Sequence, residues 1–321
     1  MLIVTTLIAC ILAALFIHSF AVIQQRRSHK VVLGGCGDRK GRQTKRHYFA
    51  ITCCVALPLL YGCTTTNYGD NQFNLSMASS GKDVMWVPTK VEMADQMLSL
   101  AQVRKGDLVY DLGSGDGVIP IEAAKKYQVR AVGIEYNLEL VKLSQRNAER
   151  AKVQNLVTLK QGDIFVEDFS QATVLTLYLG ENLNIKLMPT ILKMQAGTRV
   201  VSNTFRMESW IADKEVRISN GEMAYLWIVP ANVDGNWQWN GPSGLGDLRL
   251  VIRQKKQFFD GTLYQDNKRI AHFEDGRIRG SDLEFDFAYQ KMNYVFKGRI
   301  NGSNMTGNLN NNPSLPVTGT R

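Results

Sequence analysis

The stretch VYDLGSGDG, residues 109–117, ends an apolar run in three glycines set among two carboxylates. Leu108 to Leu112 predicts a buried strand, Gly113 to Gly117 a turn and Val118 to Tyr127 a helix. Pro120 suits that helix because it falls in the first turn, where its missing N–H has no intrahelical partner to lose. Gly113, Gly115 and Gly117 permit positive φ and close approach of a ligand to the main chain, which every nucleotide-binding turn requires. Bare backbone alone does not choose the ligand.

The carboxylates narrow the choice. A phosphate-binding loop needs Lys and then Ser or Thr after its last glycine, and neither follows Gly117. A GxGxxG dinucleotide turn sets pyrophosphate on the helix N-terminus, where Asp111 and Asp116 would repel it. The spacing here is GxGxG, and its acidic flanks suit a ligand with an ammonium, a sulfonium and no phosphate: S-adenosylmethionine. RAVGIEYN (130–137) predicts a second strand ending at Glu135 and Tyr136, with Glu135 24 positions after Asp111. A crossover and a strand fill that distance, so the Glu135 carboxylate can accept from both ribose hydroxyls. VTLKQGDIF (157–165) predicts a third strand, with Asp163 at its end toward the adenine amino group and Ile164 against the ring. The expected cofactor set is therefore Asp111, Gly113, Gly115, Gly117, Glu135, Tyr136, Asp163 and Ile164.

On these residues, and over about 84–230, the chain resembles the class I S-adenosylmethionine-dependent methyltransferases. The stretches beginning WVPTKVEMADQML (86–98), TVLTLYLGENLNIKLMP (173–189) and GTRVVSNTFRMESW (197–210) are similar to a bacterial group. That group is related to the mitochondrial lysine methyltransferases that modify the ATP synthase c subunit and the adenine nucleotide translocase. The resemblance implies a protein-lysine acceptor. One departure is local: Leu179, Gly180 and Glu181 stand where the relatives read Leu-Leu-Pro after the tyrosine of the fourth strand, which alters the loop beside the methyl group. Tyr178, as a pocket wall or hydrogen-bond partner, and Glu181, as proton acceptor, are the catalytic candidates. Thr89 and Glu92 have the spacing of a capping box, predicting a helix over Lys90 to Ala101 with Trp86 either stapled to it or walling the acceptor mouth. The run 181–197 predicts an amphipathic helix interrupted near Pro189 and stopped at Gly197. The fold expected for 84–231 is α/β, a seven-stranded, mostly parallel Rossmann-like sheet with helices on both faces.

The rest of the chain differs in texture. With 45% hydrophobic and 21% charged residues its 321 positions are ordinary for a globular protein. Of the net charge of +9, residues 1–47 carry +7, eight Lys or Arg against Asp38, so the remainder is nearly neutral and lacks the basic face a nucleic-acid partner needs. All five cysteines precede residue 64 and the chain has four histidines, which excludes a thiolate metal centre from the later part and gives a metal weak support. Residues 1–23 are apolar for long enough to span a bilayer, and the basic loop after them has cytoplasmic bias. A second apolar run, Tyr48 to Cys63, follows Lys45 and Arg46 and resembles an export signal whose LYGC (60–63) makes Cys63 a lipidation point; an uncleaved second anchor is the alternative. Residues 64–83 read as a polar linker. After Pro230 short β runs predict an antiparallel meander or partial barrel over 232–310, with GRIRGSDL (276–283) and GRINGSNM (298–305) as repeated hairpins and 311–321 as a loose tail. The whole predicts a membrane-associated methyltransferase; a tethered binding module with an inactive domain, and a methyltransferase of small molecules, are the other readings.

Overall fold

The computed structural model describes Asp70 and residues 83–218, 221–241 and 245–321. The apolar segments of 1–63, Cys63 and nearly all of the linker lie outside the described residues, and no helix among those described is long and apolar enough to cross a membrane.

Seven strands form one sheet: β1 Leu108–Leu112, β2 Arg130–Glu135, β3 Val157–Gln161, β4 Val174–Leu177, β5 Arg199–Asn203, β6 Lys214–Arg217 and β7 Met223–Ile228. Their order is β3-β2-β1-β4-β5-β7-β6. The first five are parallel, while β7 runs antiparallel to β5 and to the edge strand β6, so the sheet is mixed. All four residues of β4 are buried, as a central parallel strand covered on both faces requires. One cover is made by α1 Val91–Leu100 and α2 Val118–Tyr127, whose Met97, Leu98 and Ile119 pack with Val109 and Val174. On the other face α4 Glu181–Ile191 packs Leu183 and Leu187 with Leu112, Leu177 and Trp227. Between them in sequence, α3 Leu138–Arg150 is capped by Asn137, whose side chain accepts from the Glu139 and Leu140 N–H groups.

Two local expectations are corrected. The Thr89–Glu92 capping box is not formed: α1 begins at Val91 with Lys90 as its extended N-cap and no side-chain cap bond. Starting one residue later moves Thr89 outside the helix and out of register with the third helical N–H. Nor does Pro189 interrupt α4, which continues to Ile191; so near the helix end the proline removes one late hydrogen bond only.

The second assembly is a closed barrel rather than a partial one. Its strands are β8 Gly235–Asn240, β9 Asp247–Lys255, β10 Phe258–Gln265, β11 Lys268–Arg279, β12 Asp282–Tyr289, β13 Met292–Asn301, β14 Asn304–Leu309 and β15 Pro316–Thr320. The sequence repeats are the β11–β12 and β13–β14 hairpins, turning at Gly280 and Gly302 with φ near +60° in each. Residues 311–321 are not a loose tail: β15 pairs with β14 on one side and β8 on the other, closing the ring. Aromatic side chains fill the interior, with Phe273 stacked on Phe285 at 4.2 Å and Trp239 edge-on to Phe296. Gly261 and Gly276 leave the room that the rings of Phe273 and Phe259 occupy.

The barrel joins the sheet away from the carboxyl ends of the parallel strands. Ile228, the last residue of β7, pairs with Arg199, the first of β5, so the chain leaves at the opposite end. There the Ala231 N–H donates to Gly280 O at 2.7 Å, Gln257 Nε2 to Ile211 O at 2.6 Å, and Arg277 pairs with Asp213 at 3.3 Å.

Deleting residues 316–321 removes buried Val317 and the Arg321 guanidinium that lies 4.7 Å from the Trp237 ring. The expected outcome in thermal unfolding followed by tryptophan emission is a midpoint lowered by on the order of 10 °C, with cofactor binding retained; an unchanged midpoint would show that the ring does not need its last strand.

Candidate functional site

Parallel strands end together, so the turns after β1, β2, β3 and β4 converge on one crevice. A cleft enclosing about 930 Å³, open solvent at its mouth included, lies there. Asp111, Gly113, Gly115, Glu135, Tyr136, Asp163, Ile164 and Tyr178 all line it. Gly117 does not: at φ +82° it turns the chain into α2, and a Cβ there would fall 2.9 Å from Ser144 Cβ. Glu181 does not line it either, being exposed in the first turn of α4.

The acidic residues are held in different ways. Glu135 Oε2 accepts from the Gly115 N–H at 2.9 Å and its Oε1 from the Asn137 N–H at 2.8 Å, so main chain fixes both oxygens while each keeps a free lone pair. Asp163 Oδ1 accepts from the Phe165 N–H at 3.0 Å, which orients the loop after β3. Asp111 is 3% exposed and lies opposite Gly133 on β2 and Thr176 on β4. Its Oδ1 accepts from the Thr176 hydroxyl at 2.7 Å. Burial pushes the Asp111 carboxyl up to about 7; the Thr176 bond opposes the rise, and Glu135 and Asp116 add repulsion. Burial likewise raises Asp116 to about 6.

Other side chains complete the site, Thr176 and Asn184 among them without a motif to mark them. Thr176 is the polar residue of an otherwise apolar strand, and a buried hydroxyl needs a partner. Trp86 lies against the turn so closely that a Cβ on Gly115 would sit 2.6 Å from its Nε1, and it also packs on Leu140 and Leu143. Leu179 fills the space a Cβ on Gly113 would take. Behind Tyr178, whose ring stacks on Phe205 at 6.0 Å, buried Asn184 donates to Ser202 Oγ at 3.0 Å and to Phe205 O at 3.2 Å.

The fit to a cationic nucleoside rests on three observations. Glycines at positive φ leave a bare cradle, the Ser114 hydroxyl within the turn is buried with no hydrogen-bond partner, and five carboxyl residues, Asp83, Asp111, Asp116, Glu135 and Asp163, line the cleft with no lysine or arginine among them. Among the described residues no cluster of His, Cys, Asp and Glu could hold a metal ion. Sheet, turn and acidic strand ends define a methyltransferase dependent on S-adenosylmethionine.

Residues 111–214 match the ANTKMT methyltransferase domain. A protein-lysine N-methyltransferase of Saccharolobus islandicus is 38% identical over 151 residues, spanning 46% of this chain and 94% of that protein. The adenine nucleotide translocase lysine N-methyltransferase of Mus musculus is 32% identical over 136 residues, 40% of this chain and 56% of that protein. A solved structure described as an RNA methyltransferase from Salinibacter ruber in complex with S-adenosyl-L-homocysteine is 45% identical, covers 46% of this chain and 96% of that one, and superposes with a TM-score of 0.45. The chain belongs to the methyltransferase family of the Saccharolobus islandicus protein-lysine enzyme.

Because Asp111 and Asp116 hold protons up to about 7 and 6, while a cation prefers them ionised, cofactor affinity should rise with pH across 5 to 8 and binding near pH 6 should release protons. Titration calorimetry in buffers of different ionisation enthalpy measures that release. The Asp111→Asn variant should flatten the pH dependence. For the ligand-free fold the sign is reversed: the unfolded carboxyl, near ~3.9, binds fewer protons than the folded one between pH 4 and 7, so stability falls as pH rises through that window and Asp111→Asn should be the more heat-stable protein at pH 8.

Proposed function

We propose that the cleft methylates a protein lysine, with Glu135 on the cofactor's ribose hydroxyls, Asp163 and Ile164 at its adenine, and Asp111 and the glycine turn beside its methionine portion. The observation that carries this reading is the Glu135 carboxylate, clamped by two main-chain N–H groups with its remaining lone pairs available to a diol. Similarity to enzymes named for lysine methylation supports the acceptor class.

When bound, the cofactor supplies a methyl group on a sulfonium, which an uncharged amine takes as the carbon–sulfur electron pair stays with sulfur. The chain's part is to position and dry the amine rather than to activate the leaving group. Tyr178, Leu179, Leu183 and Met85 give the cleft an apolar wall, and such surroundings disfavour an ammonium, drawing a lysine below its usual ~10.4. Burial and nearby Glu222 push the Tyr178 phenol up, so it stays neutral and serves as a hydrogen-bond partner to the amine, not as its base. Glu181, outside the cleft, has no part in this reading, and water takes the proton. The apolar segments of 1–63 tether the enzyme to a membrane, through a span or through lipid on Cys63.

Labelled methyl transfer into membrane and soluble protein fractions, followed by acid hydrolysis, should yield methyl-lysine; label in nucleic acid or small molecules would sink the acceptor class. Glu135→Ala should weaken cofactor binding on the order of 10- to 100-fold. Tyr178→Phe should lower kcat with little change in cofactor affinity, and Glu181→Ala should leave both near the parent values.

A further inference from the structure

The chain leaves β5 through a strained turn. The Phe205 N–H donates to Asn203 O at 2.7 Å across Thr204, whose φ is +63°. A three-residue turn closed about a residue of positive φ is the rare form of the γ-turn, and a β-branched side chain adopts that φ only where its surroundings impose it. Thr204 is itself exposed, so packing of its side chain supplies no reason for the strain. The reason lies in what the turn presents: Phe205, whose ring stacks on Tyr178 at 6.0 Å.

Asn184 grips this turn. It lies in the first turn of α4, the helix that starts directly after Tyr178, Leu179 and Gly180, and it is fully buried. Its Nδ2 donates to Ser202 Oγ at 3.0 Å and to Phe205 O at 3.2 Å, one on each side of Thr204. The Ser202 hydroxyl in turn donates to Asn203 O at 3.4 Å, so the amide holds main chain before and after the strained residue. Asn184 Oδ1 is buried with no hydrogen-bond partner. An asparagine that satisfies its donors while leaving its acceptor dry contributes little net stability, so its place is explained by what the donors hold.

We propose that Asn184 is a positioning residue for the acceptor amine: by holding the turn at Thr204 it fixes Phe205 as the wall on which the Tyr178 ring rests, and so sets the direction from which the phenol meets the amine. The inference rests on the reading of Tyr178 as hydrogen-bond partner of that amine. Tyr178 lines the cleft, whereas Asn184 and Phe205 do not, so both act through Tyr178 rather than on the cofactor. Transfer needs the nitrogen lone pair in line with the methyl carbon, and a phenol free to tilt loses that alignment while leaving the cofactor seated.

The full chain is assayed by labelled methyl transfer from S-adenosylmethionine into the protein fraction at saturating cofactor, with cofactor affinity and the thermal midpoint measured alongside. Asn184→Leu should lower the transfer rate on the order of 10-fold with cofactor affinity unchanged. Glycine adopts positive φ without strain, so Thr204→Gly should keep the parent rate and, added to Asn184→Leu, restore it to within about threefold. Because both changes act on one phenol, Asn184→Leu with Tyr178→Phe should be no more than about twofold slower than Tyr178→Phe alone. Phe205→Leu removes the wall and leaves the buried amide in place; it should slow transfer as Asn184→Leu does, and it carries the test where that variant does not fold. The proposal is overturned by an Asn184→Leu or Phe205→Leu protein of parent rate, by losses that multiply in the double variant with Tyr178→Phe, or by a folded Asn184→Leu protein that Thr204→Gly does not rescue. Cofactor affinity lost together with the rate in Asn184→Leu also overturns it alone, since the amide would then support the whole cleft. Tyr178→Phe of parent rate instead removes the reading of Tyr178 itself, and this inference with it.

Discussion

Negative charge withdrawn from water at the ends of β1 and β2 is the constraint on which the site depends. Asp111 and Asp116 are both under 9% exposed, and the Glu135 carboxylate lies near enough to Asp111 to repel it. A fold can hold such a group in three ways: keep it protonated, give it hydrogen bonds, or leave it waiting for a cation. All three are used. Asp111 rises to about 7 and keeps a Thr176 hydroxyl, Glu135 takes two main-chain N–H groups, and the open side of each faces a cleft that fits a sulfonium and an ammonium. The local packing serves that arrangement. Gly133 has no room for a side chain, since a Cβ would stand 2.6 Å from Ser114 Oγ, and this lets the turn fold back over β2.

The sheet was legible because parallel strands buried on both faces read as plain apolar runs separated by turn residues, and because the ligand's charge must be matched by side chains at fixed strand ends. β6 left no such trace: its Lys214–Arg217 are mostly exposed, and an edge strand without an inward face shows no alternation. The closure of the barrel was hidden for a related reason. β15 needs only Val317 and Gly319 to face inward, the latter beneath Trp239, so a sequence low in apolar content still completes the ring. Glu181 lies outside the cleft lining for a different reason. A carboxylate following Tyr178 looked near the chemistry, but Gly180, at φ +95°, begins a new helix whose first turn points Glu181 to solvent. Thr176 and Asn184 were missed because a buried polar residue reports only that some partner exists, and naming that partner needs the register.

Sheet and barrel have separate cores. Trp227 and Trp210 pack with the sheet, whereas Trp237 and Trp239 pack in the barrel, and the join between the two relies on polar and backbone contacts such as Gln257 to Ile211 O and Ala231 to Gly280 O. The match to the methyltransferase domain ends at residue 214, before the barrel begins. A second body attached at the end remote from the cleft can therefore change without disturbing the acidic turn, because no strand of the barrel contributes to the cleft lining.

The cover of the cleft is less independent. Asp70, 4% exposed, accepts from Arg146 Nε at 2.5 Å and Arg150 at 2.9 Å on the last two turns of α3, and Trp86 packs on Leu140 and Leu143 near that helix's start. Asp70 and Trp86 are thus held to one helix, the first by ion pairs and the second by apolar packing. The same helix begins beside Glu135, through Asn137. α3 therefore links the cover of the cleft to the main chain that fixes the Glu135 carboxylate.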